Sequence, residues 1–301
     1  MNLEPSTESR TAPTSAHSAP PATRPLELSI EFFPPQTPEG GQKLRQARRE
    51  LARLEPAFFS VTYGAGGSTR ERTFAVVREM QDEGLCAAPH LSCIGSSREG
   101  LREVLAQYQN SGIRRIVALR GDLPSGMVDP GQLRYASELV EFIRQETGDW
   151  FHVSVAAYPE WHPQAKNPAS DLRHFAQKMA AGANAAITQY FYEAEAYFHF
   201  VEEAQKLGVT APIIPGIMPI VGFAKLVRFS DMCGAELPRW MRRKFESFYD
   251  DAASIRAFGL EVVSRLCERL IAGGAPGLHF YSMNRADLTL EICGRLGLDQ
   301  P

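Results

Sequence analysis

Cysteine and histidine are present without the spacings that would give them a structural job. The five cysteines (Cys86, Cys93, Cys233, Cys267, Cys293) include no Cys-x-x-Cys pair, and the seven histidines include no His-x-x-x-His pair. A thiolate or imidazole metal site is therefore not expected, and an odd, scattered cysteine count suits reduced core thiols in the cytoplasm. No run approaches the ~20 consecutive apolar residues of a membrane-spanning helix, and the first 25 residues lack the apolar core of a secretory signal. Neither sign of charge dominates: 32 Lys and Arg against 35 Asp and Glu leave a net charge of -3. That balance lacks the broad basic footprint of a nucleic-acid binder. The one basic cluster, "RWMRRKF" at 239–245, is expected to be the solvated face of a helix.

What remains is a globular chain of 301 residues, 44% of them hydrophobic, long enough for one large core. Residues 1–25 are rich in Pro, Ser, Thr and Ala and are expected to form a disordered tail; Glu4 and Glu8 argue against a targeting peptide. From Leu26 onward eight β-rich runs recur: "LELSIEFF", "FFSVTY", "APHLSCI", "RIVALRG", "HVSVAAY", "AAITQYFY", "PIIPGIM" and "LHFYSMN". Helical patterns such as "GLREVLAQYQNSG" and "DLRHFAQKMAAGA" separate most of them, at roughly the 30-residue repeat of a βα unit. An extra helical insertion, "FSDMCGAELPRWMRRKFESFYDD", precedes the last strand. The expected architecture is a single α/β domain over 26–301, a (βα)8 TIM barrel. A dinucleotide-binding doubly wound sheet is the rival, but "YGAGGST" has Thr69 where the third glycine of its fingerprint belongs. This loop reads as a glycine turn into a helix, with Ser68 and Glu71 in capping-box spacing; it serves equally as a plain turn or as backbone donors to a ligand.

Alternation along the first strand places Leu26, Leu28, Ile30 and Phe32 on one face and Glu27, Ser29, Glu31 and Phe33 on the other. The aliphatic face should pack under the helices, which turns Glu31 into the barrel near the strand's C-terminal end, where barrel enzymes carry their chemistry. Ser60 and Thr62, His90 and Ser92, and Ser154, Ala156 and Tyr158 alternate in the same sense, and Asp122 follows the fourth strand in "LRGD". Two carboxylates at one mouth cost desolvation and repulsion, which points to use. Among aromatic neighbours Glu31 is expected to have a raised pKa fit for a general acid, with Asp122 staying ionised beside Arg120 and Gly121.

The stretches "IEFFPP", "SVTYGAGGSTRERT", "APHLSCI", "RRIVALRGDLP", "SVAAYPEWHPQA", "AGANAAITQYFY", "IIPGIMPI" and "HFYSMNRA" together resemble the methylenetetrahydrofolate reductase family in its bacterial, catalytic-domain form. The resemblance runs in the family's order from Leu26 to Leu298. It implies a barrel holding FAD non-covalently and a ping-pong reaction: NADH or NADPH reduces the flavin and leaves, then methylenetetrahydrofolate takes its place and becomes 5-methyltetrahydrofolate for methionine synthesis. It implies Glu31 as the acid that opens the bridged folate ring, Asp122 as a pterin contact that tunes the flavin, and Gln189, Phe223, Tyr281 and Arg285 as further substrate contacts. For FAD it points to Thr62, Tyr63, Ala65, His90, Arg120, Gly121, Asp122, Tyr135, Ala136, Tyr158, His162, Ala165, Asp171, His174, Gln177 and Lys178. His174 stands where the family pattern offers Asn, Gln177 stands where it often offers a basic residue, and Tyr190 and Tyr192 replace common phenylalanines and add hydroxyls. A homo-oligomer without a regulatory domain is expected, with NADH favoured as donor. The competing readings are a flavin-free barrel catalyst using Glu31 and Asp122, and a silent flavin or folate binding subunit.

Overall fold

The computed structural model describes residues 26–64, 69–122 and 131–299. Strand and helix alternate from the start: β1 (Glu27–Phe32), α1 (Pro38–Leu51), β2 (Phe58–Val61), α2 (Arg70–Asp82), β3 (Ala87–Ser92), α3 (Arg98–Asn110), β4 (Arg115–Leu119), α4 (Ala136–Thr147), β5 (His152–Ala157), α5 (Pro168–Ala180), β6 (Ala185–Thr188) and α6 (Ala194–Lys206). Local chemistry sets the helix starts. Thr37 accepts from the Gly40 N–H ahead of α1, Ser97 from the Gly100 N–H ahead of α3, and Asn167 forms a reciprocal capping box with Ser170 ahead of α5. The capping box expected at Ser68 lies outside the described residues; the N-cap of α2 is Thr69, whose hydroxyl accepts from the Gly64 N–H at 2.7 Å.

The seventh run, "PIIPGIM", divides into β7 (Ile213–Ile214) and β8 (Gly216–Ile217) because Pro215 has no N–H to give to a ladder. The halves face different neighbours: β7 pairs with β6, and β8 with β9 (Gly277–Tyr281). Since β9 also pairs with β1, the order β7-β6-β5-β4-β3-β2-β1-β9-β8 closes on itself, with every pairing parallel. The result is a (βα)8 TIM barrel. The insertion supplies α7 (Phe223–Cys233) and α8 (Arg239–Glu246) before α9 (Ala252–Ala272), and α10 (Asp287–Arg295) follows β9. In α8 Met241 and Phe245, four residues apart, are fully buried while Arg239, Arg243 and Lys244 face solvent.

Two apolar clusters divide along the strand alternation. Ile30, Phe32, Phe59, Val61, Leu91, Cys93, Val153, Val155 and Ala157 point outward into the large core under the helices. Inside the barrel Phe58, Ala88, Val117 and Ile187, with Ala57 and Leu119 packed against them, form a small apolar plug. Apart from Leu119 of β4 and Tyr281 of β9, the other inward positions of these strands are small or polar, so the interior toward the C-terminal mouth is available for chemistry.

Candidate active site

Register brings Glu31 of β1 level with Ser60 of β2 and Tyr281 of β9. The end of β1 is clamped by the turn after β9. Ser282 Oγ donates to the Glu31 carbonyl at 2.6 Å, and the Asn284 side chain both accepts from the Phe33 N–H and donates to the Phe33 carbonyl, each at 2.9 Å. To reach back this way Met283 and Asn284 adopt φ of 53° and 55°, the left-handed region that asparagine tolerates better than most residues.

The Glu31 carboxylate meets two imidazoles. Its Oε2 lies 3.2 Å from His90 Nε2 and 3.6 Å from His279 Nε2, with 17% of the Glu31 side chain exposed and His279 wholly buried. Burial pushes the Glu31 carboxyl up, but the two imidazoles that face it, His90 foremost, together outweigh it and bring the pKa down to about 2. This reverses the expectation of a raised value: the aromatic neighbours were legible along the strand, whereas the imidazoles arrive from β3 and β9. His90 Nε2, His279 Nε2 and Ser60 Oγ are all buried without an aligned hydrogen-bond partner, so the polar lining around Glu31 is unsatisfied as it stands.

Glu31 and His90 open into a cavity of about 310 Å³ floored by Val117 and Ile187 and lined further by Gln189, Tyr190, Met218, Phe229 and Tyr281. Gln189 Oε1 accepts from the Tyr190 N–H at 3.0 Å. Tyr281 donates its hydroxyl to the Thr188 carbonyl at 2.6 Å, and so offers the cavity its ring. The hydroxyls that distinguish Tyr190 and Tyr192 from phenylalanine are used as ties: Tyr190 pairs with Ser230 of α7 at 3.0 Å, and Tyr192 donates to the Met218 carbonyl at 3.3 Å. Phe223 is placed elsewhere than expected for a substrate contact. Its ring stacks on the buried Phe245 at 5.1 Å and 13°, and Phe229 of the same helix lines the cavity instead. Arg285 borders a second, apolar cavity of about 230 Å³ with Phe33, Lys225 and Met283, its guanidinium held by Asp287 at 2.8 and 3.0 Å.

The residues expected to hold a cofactor occupy the rim over β2 to β5. Thr62 and Tyr63 are half-buried past β2, and Asp122 is exposed past β4 rather than in the cavity with Glu31. Gly121 between Arg120 and Asp122 has φ +83°, and a Cβ there would stand 1.8 Å from Ser92 Oγ. Ser92 donates to the Arg120 carbonyl at 2.9 Å, and the Arg120 guanidinium donates to Gln164 at 2.6 Å. The His162 N–H donates to Asp171 at 2.8 Å, the Ala165 N–H returns to the His162 carbonyl at 2.8 Å, and the His162 ring meets Tyr158 edge-on at 4.6 Å. Burial and then Arg120 lower the His162 pKa; burial and then the nearby Asp122 raise that of Tyr158 to about 12. Lys178 donates to the Ala156 carbonyl at 2.5 Å, and its pKa falls to about 8, chiefly through burial. His174 and Gln177 are exposed on α5, and Ala65 lies outside the described residues. The donor set fits a flavin dinucleotide: Arg120 and Lys178 supply positive charge for a diphosphate, and α4 begins at Tyr135 and Ala136 with no side chain capping its N–H groups. The exposed Tyr135 ring stands beside that helix end.

Ser29, Met218, Phe229 and His279 were not among the expected site residues, whereas Ser92 was read as part of the inward polar set of its strand. For Ser29 and His279 the signal was present, since both sit on the inward phase of strands whose alternation is readable; for Met218 and Phe229 nothing local marks them.

A sequence profile described as methylenetetrahydrofolate reductase matches residues 18–297. The 5,10-methylenetetrahydrofolate reductases of Escherichia coli and Salmonella typhimurium are each 42% identical over 274 residues, covering 91% of this chain and 91% of theirs. A rice protein named "Probable methylenetetrahydrofolate reductase (NADH)" is 34% identical over 90% of this chain and 48% of its own length. Among solved structures, a Clostridium thermocellum protein described as binding two copies of 5-methyl-5,6,7,8-tetrahydrofolic acid superposes with a TM-score of 0.61 at 16% identity, covering 91% of this chain and 93% of that one, a likeness of fold.

Proposed function

Given that the chain belongs to the methylenetetrahydrofolate reductase family, we propose that it reduces 5,10-methylenetetrahydrofolate to 5-methyltetrahydrofolate with electrons from NADH or NADPH passed through non-covalently held FAD. The two substrates use one cavity in turn, and the product supplies methyl groups for methionine synthesis. The observation that carries this reading is a half-buried carboxylate between two imidazoles, Glu31 with His90 and His279, opening into an aromatic-walled cavity.

Arg120, Lys178, the start of α4 and the rim residues Tyr158, His162 and Asp171 would hold the dinucleotide. When bound, the flavin supplies the two-electron relay between nicotinamide and folate. The protein's part is the proton. Reduction consumes one proton, and the bridging nitrogen must receive it for the folate ring to open and leave an iminium carbon able to take hydride. Glu31 is the donor. In the open cavity the carboxylate form is favoured; a pterin that fills the cavity excludes water and disfavours the separated charges of carboxylate and imidazolium. The neutral pair, with the proton on Glu31, is then the lower-energy arrangement. Gln189 orients the incoming ring through its amide, and Tyr281 and Phe229 bound its apolar edge. Five cysteines without disulfides support a cytoplasmic enzyme, and the family resemblance supports a homo-oligomer.

The test is an anaerobic visible spectrum of the purified protein, taken alone, after NADH, and after adding methylenetetrahydrofolate. A flavin band that bleaches with NADH and returns with the folate supports both half-reactions. A protein that stays colourless after FAD is added rules the reading out.

A further inference from the structure

Ser29 and His279 form a buried pair behind Glu31 that the substrate cavity does not reach. Ser29 Oγ lies 2.8 Å from His279 Nδ1, and the opposite ring nitrogen, Nε2, lies 3.6 Å from Glu31 Oε2. Both residues are buried, Ser29 at 1% and His279 at 0% exposed. Register places them opposite one another on β1 and β9, one inward position below Glu31 and Tyr281. The His279 ring is further confined by Phe58, stacked at 6.1 Å, and by Tyr281, edge-on at 5.3 Å. An imidazole this tightly held, with one nitrogen occupied by a hydroxyl and the other unpartnered and close to a carboxylate, has one direction in which to pass a proton.

We propose that His279, held by Ser29, is a positioning residue that keeps the proton Glu31 delivers and returns one to it after each turnover. With Nδ1–H donating to Ser29 Oγ in both states, only Nε2 exchanges. In the charged state Nε2–H faces the Glu31 carboxylate; transfer breaks that N–H bond and forms Oε2–H, leaving neutral Nε2 as acceptor. Glu31 then gives its proton to the bridging nitrogen of the folate; between turnovers, when the cavity stands open, a solvent proton reaches the exposed part of Glu31 and passes from Oε2 back to Nε2 of His279. For the transfer the 3.6 Å gap between Nε2 and Oε2 must close by about 0.8 Å, to the length of a charge-assisted hydrogen bond, an approach shared between the two side chains. The other titratable groups facing His279 are Glu31 on β1, His90 on β3 and Tyr281 on β9, with Arg115 of β4 one ring away, 5.0 Å from the centre of Phe58. His90 lines the cavity and contacts whatever fills it, whereas His279 is sealed from it, so the two imidazoles have separate duties.

This inference rests on Glu31 being the acid of the folate half-reaction, and the experiment separates the two. Stopped-flow flavin bleaching by NADH and reoxidation by methylenetetrahydrofolate are followed from pH 5.5 to 9 in the parent, Ser29→Ala and His279→Gln. Removing the Ser29 oxygen leaves the charged imidazole without its acceptor, so the cluster surrenders its proton at lower pH. The alkaline limb of the reoxidation profile should therefore move down by about one pH unit in Ser29→Ala. His279→Gln keeps a donor N–H toward Glu31 but cannot carry a proton, and reoxidation should slow by about tenfold or more. In both, bleaching by NADH should stay within about twofold of the parent, which also reports an intact barrel. If both variants bleach and reoxidise with the parent's pH profile, the assignment of His279 is wrong while Glu31 stands. If the parent itself bleaches but is never reoxidised by the folate, the reading of Glu31 falls and this inference with it.

Discussion

Gly121→Ala tests how firmly backbone geometry holds the turn that carries Arg120 and Asp122. The substitution meets three obstacles. Gly121 sits at φ +83°, where a side chain costs about 1–2 kcal/mol. The new Cβ would stand 1.8 Å from Ser92 Oγ and 2.9 Å from Ser92 Cβ, backed by the β3 strand. Forcing that contact apart costs about 1–3 kcal/mol by the usual scale of overpacking. The displaced Ser92 hydroxyl also gives up its bond to the Arg120 carbonyl, for about 1 kcal/mol more. Together these come to about 3–6 kcal/mol, a large part of the total stability of about 5–15 kcal/mol that folded domains have. At about 2 °C per kcal/mol for a barrel of this size, Tm should fall by about 6–12 °C in thermal unfolding followed by circular dichroism. Adding Ser92→Gly removes the collision but not the backbone cost, and the hydrogen bond lost in each single variant is lost only once in the double, so a double-mutant cycle should return about 2–4 kcal/mol of coupling. A single variant that melts within about 2 °C of the parent, or a cycle with no coupling, would refute the steric account.

Three other outcomes follow from the same geometry. Glu31→Gln should keep bleaching by NADH and slow folate-driven reoxidation by about 10²–10⁴-fold in stopped-flow measurements; equal slowing of both half-reactions would argue against its role as acid. Because the folded pKa of Glu31 is depressed from 4.5 to about 2, its contribution is fully present above about pH 4.5 and is lost as pH falls toward 2. That contribution is about 3 kcal/mol, and an acid titration of stability should show the parent losing that much more than Glu31→Gln between pH 5 and 2. Lys178→Met should weaken FAD binding in equilibrium dialysis by about tenfold. With the Lys178 pKa near 8 in the protein alone, the parent's FAD affinity should also decline as pH rises through about 8 and the ammonium is lost, whereas that of the variant should not.

The eight β-rich runs, their approximate spacing and the inward turn of Glu31 were legible in the sequence because period-two alternation and glycine or proline punctuation are local signals. Alternation sorted Phe59 from Ser60 and Val153 from Ser154 onto the faces they occupy in the barrel. Local pattern also marked Ser29 as an inward residue, though nothing in its strand said that it would meet His279. What surrounds a side chain is a property of the closed sheet. The electrostatics of Glu31 depend on His90 and His279, 59 and 248 residues further along the chain, brought together only when β9 pairs with β1 and the barrel shuts. The same holds for Phe223, whose ring found Phe245 because α8 folds against α7, and for Gly121, whose necessity lies in Ser92 one strand away. Strand periodicity, helix caps and the proline break in the seventh run are decided within a few residues, so the sequence by itself determined them. Proton affinity, stacking partners and steric limits are sums over neighbours in space, and only the tertiary structure decided those.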